Sequence, residues 1–119
     1  MRILIVDDKA EMLSVMAKML DRTGHELVLQ TDPKKALEQL RSERFDVLVT
    51  DMLMPELRGI DIIRELRREK SDLWIVAISG GGDTITEKSM LRMSEAYGAD
   101  RVLYKPFRKP ELLAAIERD

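Results

Sequence analysis

Five side chains in this sequence make a chemical set if the fold brings them together: the carboxylates of Asp7, Asp8 and Asp51, the hydroxyl of Ser79 and the ammonium of Lys105. Three carboxylates gathered at one place repel one another unless a cation joins them or a proton stays bound. Oxygen donors without His or Cys suit a hard divalent ion, and Mg²⁺ typically takes one or two carboxylates, several waters and a substrate phosphate oxygen. Such an ion would neutralise charge on a transferring phosphoryl group, while Lys105 and Ser79 would hold its remaining oxygens. Asp51 stands apart from the acidic pair, and a carboxylate in that position can attack phosphorus to give an aspartyl phosphate. Each residue alone has a plainer reading: Asp7 and Asp8 as helix caps, Asp51 as a turn residue before Pro55, Ser79 as part of a glycine-rich loop, and Lys105 as a surface lysine. Only their convergence selects the phosphoryl chemistry.

The elements that would position them are legible from short apolar runs alternating with helical patterns. Ile3 to Val6, Leu27 to Leu29, Val47 to Thr50, Trp74 to Ile78 and Val102 to Tyr104 read as strands. Met12, Val15, Met16, Met19 and Leu20 fall at helical spacing, as do Gly59, Ile62, Ile63 and Leu66, and Leu112, Leu113 and Ile116; these stripes are expected to face the core. Asp32-Pro33 and Lys109-Pro110 mark helix starts, Thr84 with Glu87 has the spacing of a capping box, and Gly24 and Gly98 are expected to end helices. The order is strand then helix, five times over, which predicts a parallel sheet with helices on both faces and right-handed crossovers. In such a sheet, ligands bind beyond the carboxyl ends of the strands. Asp7 and Asp8 follow the first strand, Asp51 the third, Ser79 to Gly82 the fourth and Lys105 the fifth, so all should meet at one edge. Asp32, after the second strand, is better explained as a cap.

Composition bounds the rest. The 119 residues suit one domain spanning 1–119, with 45% apolar and 35% charged residues and a net charge of -2. Basic residues alternate with acidic ones, as in Arg64-Glu65-Leu66-Arg67-Arg68-Glu69-Lys70, so neither nucleic acid nor a membrane surface is an expected partner. There is no Cys, and no apolar run has the length of a membrane span or signal peptide, which makes a cytoplasmic location the default. The single His25 has no catalytic partner in sequence and reads as a surface or strand-edge residue.

Ile3-Leu4-Ile5-Val6-Asp7-Asp8, then Asp51-Met52-Leu53-Met54-Pro55 with Gly59 four residues on, then Ser79-Gly80, then Lys105-Pro106-Phe107 together resemble the receiver domains of two-component response regulators over essentially the whole chain. The resemblance implies an α/β, flavodoxin-like, doubly wound (βα)5 fold with strand order 2-1-3-4-5. It implies Asp51 as the phosphoacceptor, Asp8 as a direct Mg²⁺ ligand, Asp7 as a ligand mainly through water, and the backbone carbonyl of Leu53 as the third protein ligand. Lys105 would pair with Asp51 and then with the phosphoryl group, Ser79 would hydrogen-bond it, and the Gly80 amide would assist. A histidine kinase or histidine phosphotransfer protein would supply the phosphate. The surface of the last strand and its flanking helices would change its affinity for a downstream protein, so output is expected by protein contact.

Two departures stand out. The aromatic residue that the family often places three positions before the lysine is here Val102, with Tyr104 two positions further on; the Ser79 to Lys105 segment is a few residues longer than usual and opens with Gly80-Gly81-Gly82. The readout is therefore expected to pass through Ser79 and that loop. Three rival readings are weaker. A phosphatase of the haloacid dehalogenase type needs a second Asp two residues after the nucleophile, where this chain has Leu53. A flavodoxin-like cofactor binder needs a first loop that welcomes phosphate, and this one is acidic. A phosphorylation-independent interaction module would have lost the acidic pocket that Asp7, Asp8, Asp51 and Lys105 preserve.

Overall fold

In the computed structural model, the described residues are 1–52, 59–69, 71–79, 92 and 98–118. Five strands lie among them: β1 Arg2–Val6, β2 Glu26–Gln30, β3 Val47–Asp51, β4 Trp74–Ser79 and β5 Arg101–Tyr104. Four helices are described: α1 Ala10–Met19, α2 Pro33–Ser42, α3 Gly59–Arg68 and α4 Lys109–Ile116. The strands are all parallel and ordered β2-β1-β3-β4-β5, as the resemblance implied.

Burial follows from place in the sheet. Strands covered by helices on both faces read as unbroken apolar runs, and β3 and β4 are buried at every residue. The edge strands β2 and β5 are only partly buried. Side-chain alternation then divides the core in two. Ile3, Ile5, Val47, Val49, Val76 and Ile78 face α1 and α4, meeting Leu13, Met16, Leu112 and Ile116. Leu4, Val6, Leu48, Ile75 and Ala77 face the other way, toward Ala36, Ile62, Ile63 and Leu66 of α2 and α3.

Local chemistry sets the helix ends. Asp32 caps α2 as expected, its Oδ1 accepting from the Lys34 and Lys35 amides at 2.9 and 3.4 Å, with Pro33 as the first helical residue. At α4 the Glu111 carboxylate accepts from the Arg108 amide at 3.0 Å, and Pro110 is the second helical residue rather than the first. The Thr84 and Glu87 pair lies outside the described residues.

Two expectations need correction. Gly24 does not end α1: Leu20 is its C-cap, and Gly24 belongs to the following turn, where its φ of +83° suits glycine. Val15 does not face the core but is 42% exposed. At about 100° per residue, Leu13, Met16 and Leu20 define the buried line of α1, and Val15 falls roughly 130° from its centre. Met12 and Met19 sit at the margins and are partly buried. The apolar stripe of α1 is wider than the core it covers.

Candidate functional site

The carboxyl ends of β1, β3, β4 and β5 deliver the expected set to one edge. Register does the placing: Val6 pairs with Thr50, and Asp51 pairs with Ile78, one residue before Ser79. The backbone around Asp51 is held on several sides. The Met52 amide donates to the Ile78 carbonyl at 2.9 Å, and the buried Thr50 hydroxyl donates to the Asp51 carbonyl at 3.1 Å. Gly59 closes the third side, since a Cβ there would collide with the Asp51 carbonyl oxygen. That glycine lets the start of α3 rest on the end of β3.

One ligand atom from each of Asp7, Asp8 and Asp51 lies within 4.8 Å of the others. Asp7 is fully buried and Asp51 nearly so, while Asp8 is partly open. Asp7 divides its two oxygens between a backbone amide and the acidic cluster. Oδ1 accepts from the Lys9 amide at 2.9 Å, fixing the turn into α1, whereas Oδ2 is buried without a hydrogen-bond partner, as is Oδ1 of Asp8. The Lys105 ammonium reaches into this group, 3.3 Å from Asp51 Oδ2 and 3.5 Å from Asp7 Oδ2. Lys9 lies 3.9 Å from Asp8. Burial pushes the Asp7 carboxyl above the usual carboxylate range; the Lys9 amide opposes this, the Asp51 charge adds to it, and Lys105 and Lys9 oppose it. Two buried carboxylate oxygens without hydrogen bonds, beside a third carboxylate, fit a hard cation with oxygen ligands.

Ser79 is 97% buried at the end of β4, and its carbonyl accepts from the Lys105 amide at 2.9 Å. Asp7, Asp8, Asp51 and Lys105 are thus brought together, with Ser79 at the same edge. Leu53 and Gly80 lie outside the described residues. Val102 packs against the core on the α2 and α3 face, and Tyr104 is 38% exposed. His25 is half-buried at the start of β2, with Nδ1 3.1 Å from the N-terminal amine. Sequence reasoning overlooked Thr50 and the contact of Gly59 with Asp51. A hydroxyl in a run of otherwise apolar buried residues, next to the candidate nucleophile, was the available signal for the first.

A family profile for the response regulator receiver domain matches residues 3–117. The chain belongs to the response regulator receiver domain family. It is 38% identical over 114 residues to the response regulator MprA of Mycobacterium avium, covering 96% of this chain and 48% of that protein. It is 28% identical to the alkaline phosphatase synthesis transcriptional regulatory protein PhoP of Bacillus subtilis, over 98% of this chain and 47% of that one. The chain spans about half the length of these curated relatives. Among solved structures, FixJ-N matches with a TM-score of 0.86 and 29% identity, covering 97% of this chain and 89% of that one. The chemotaxis protein CheY4 of Vibrio cholerae matches with a TM-score of 0.82 and 26% identity, over 97% and 94%. Receiver domains of this family are phosphoacceptor switches, and the acidic cluster of Asp7, Asp8 and Asp51 lies where the receiver fold collects its ligand groups.

Proposed function

We propose that Asp51 accepts a phosphoryl group from the phosphohistidine of a histidine kinase or histidine phosphotransfer protein, and that the phosphorylated chain changes its affinity for a downstream protein. The observation that supports this most is the Lys105 ammonium 3.3 Å from Asp51 Oδ2, beside carboxylate oxygens of Asp7 and Asp8 that have no hydrogen bond. An Asp51 oxygen forms the new P–O bond while the donor's P–N bond breaks, its electron pair remaining on the imidazole nitrogen. Lys105 then trades part of its attraction to Asp51 for the phosphoryl oxygens, and the Ser79 hydroxyl donates to one of them. Asp8, Asp51 and the Leu53 carbonyl, with Asp7 mainly through water, would hold Mg²⁺, which when bound would neutralise charge on the phosphoryl oxygens. The Gly80 amide is the further donor we assign. Hydrolysis of the acyl phosphate resets the chain, so we read it as a switch and not as a metabolic enzyme.

The donor must rest on the rim of this pocket. On one side the rim is an apolar groove of about 470 Å³ lined by Met12, Val15 and Met19 of α1 with Lys105, Pro106 and Phe107. Because Lys105 lines both groove and pocket, a donor with an apolar surface around its phosphohistidine would seat here with the phosphoryl group facing Asp51. We further read residues 1–119 as one receiver unit of the cytoplasm that acts through protein contact rather than direct contact with nucleic acid. In support, no helix among the described residues is long and apolar enough to cross a membrane, and the net charge is -2.

The deciding experiment is phosphate incorporation from acetyl phosphate with Mg²⁺, followed by intact mass. Wild type should gain one phosphate and Asp51→Asn none. Absence of incorporation in wild type would leave the phosphorylation-independent module as the better reading.

A further inference from the structure

Two charged side chains fix where β5 begins. The Asp100 amide donates to the Ile75 carbonyl at 2.8 Å, and Asp100 Oδ2 accepts from the Ile75 amide at 2.8 Å. The first paired residues of the two strands are Val76 and Arg101, so the Asp100 carboxylate stands where a preceding strand carbonyl would otherwise be needed. The same oxygen accepts from Arg67 Nη2 at 2.9 Å. Arg67, in the last turn of α3, also donates to the Gly98 carbonyl through Nε at 2.9 Å and Nη2 at 2.8 Å, and through Nη1 to the carbonyls of Ser71 and Leu73 at 2.9 and 2.8 Å. At Gly98, with φ +106°, a Cβ would lie 2.7 Å from Arg67 Cγ, so only glycine both makes the turn and leaves room. One guanidinium therefore ties the end of α3 to the segments leading into β4 and β5.

This bonding sits on the shortest of the five described strands, at one edge of the sheet. β5 has four residues, pairs with β4 on one side only and is only partly buried, so it has few contacts of its own to fix its register. Yet its register decides the site, because Lys105 follows directly after it. A slip of one residue would displace Lys105 by roughly 3.3 Å and turn its side chain to the opposite face. We propose that Asp100, held by Arg67, is a positioning residue for Lys105: it pins β5 at the far end of the sheet so that the ammonium meets Asp51. This rests on the phosphoryl-stabilising role given to Lys105 above.

The test is a double-mutant cycle on the apparent Kd for beryllofluoride, a phosphoryl mimic, at saturating Mg²⁺, read by fluorine NMR of the adduct. The variants are Asp100→Ala, Lys105→Ala and both together. Arg2→Met serves as a stability control, since Arg2 holds Glu26, Glu43 and the Arg44 carbonyl far from β5. Asp100→Ala and Lys105→Ala should each weaken the mimic roughly tenfold, whereas Asp100→Ala in the Lys105→Ala background should add less than about twofold. Arg2→Met should lower Tm and leave the affinity within about twofold. If Asp100→Ala does not fold, Arg67→Met, which keeps the Asp100 bonds to Ile75 but removes their anchor, should show the same coupling to Lys105. Unchanged affinity in the Asp100 or Arg67 variant, or equal weakening with and without Lys105, overturns the positioning role. Wild-type affinity in Lys105→Ala alone overturns instead the role of Lys105.

Discussion

Asp7 shows how a buried carboxylate costs stability. It is fully buried, and its pKa lies above the ordinary value of 3.8 chiefly because burial disfavours the charge. Between the ordinary and the raised value the folded state holds a proton that the unfolded chain has released. Stability contributed by this group therefore falls as pH rises through that window, and the full cost is present once pH exceeds the raised value. Asp7→Asn should raise the Mg²⁺-free Tm at pH 7, and its advantage over wild type should close as pH falls toward 3.8. A lower Tm for Asp7→Asn at pH 7 would show instead that attraction of the charge to Lys105 and Lys9 outweighs the cost of its burial. Mg²⁺ should offset the same cost in wild type. At tenfold excess over Kd it adds about 1.4 kcal/mol, a Tm rise of roughly 5 °C, and Asp8→Ala should remove most of that rise.

At the scale of elements, α1 separates residues that hold the fold from residues that face outward. Met16 is fully buried and Val15 is 42% exposed, one position apart. Met16→Ala should cost about 2–5 kcal/mol in urea unfolding, while Val15→Ala should stay within about 0.5 kcal/mol. Val15→Asp should also slow phosphotransfer from a phosphohistidine donor roughly tenfold and leave uptake from acetyl phosphate unchanged, because only the protein donor needs the groove. Equal loss with both donors would place the effect in the pocket instead. At the first residue of α3 two effects compete. Gly→Ala gains about 0.5–1 kcal/mol of backbone entropy in a helix, but overpacking costs about 1–3 kcal/mol. Because the new methyl group at Gly59 would meet the Asp51 backbone carbonyl rather than a movable side chain, Gly59→Ala should be net destabilising.

The described residues form a single sheet between two apolar clusters, and each cluster needs the sheet for one of its walls. The halves should therefore unfold together. Trp74, the only tryptophan, reports on the α1 and α4 side, where it is buried and its Nε1 donates to the Ala115 carbonyl at 2.9 Å. Leu48→Ala removes a buried side chain from the opposite cluster. Its urea midpoint should drop by the same amount by Trp74 fluorescence as by far-ultraviolet circular dichroism. A fluorescence transition left in place while the dichroism moves would show two separately folding halves.

For the five strands and four helices described, element type and order were legible in the sequence because they rest on local periodicity: the apolar runs and the helical stripes between them needed no partner to be seen. The grouping of the candidate site residues was legible for a related reason. In a parallel α/β sheet the carboxyl ends of the strands share one edge, so Asp7, Asp8, Asp51, Ser79 and Lys105 could be grouped from strand positions alone. Tertiary structure decided what depends on partners far along the chain. It turned Val15 outward, because the width of the core that α1 covers is set by the sheet and not by the helix. It moved Gly24 from a cap to a turn, gave Thr50 and Gly59 their contacts with Asp51, and divided the two oxygens of Asp7 between a backbone amide and the pocket. It also joined Arg67 to Asp100 across 33 residues, where the sequence showed only one more arginine in a mixed charged helix. Periodicity records which face of an element is apolar; which polar atom meets which is fixed only when the elements pack.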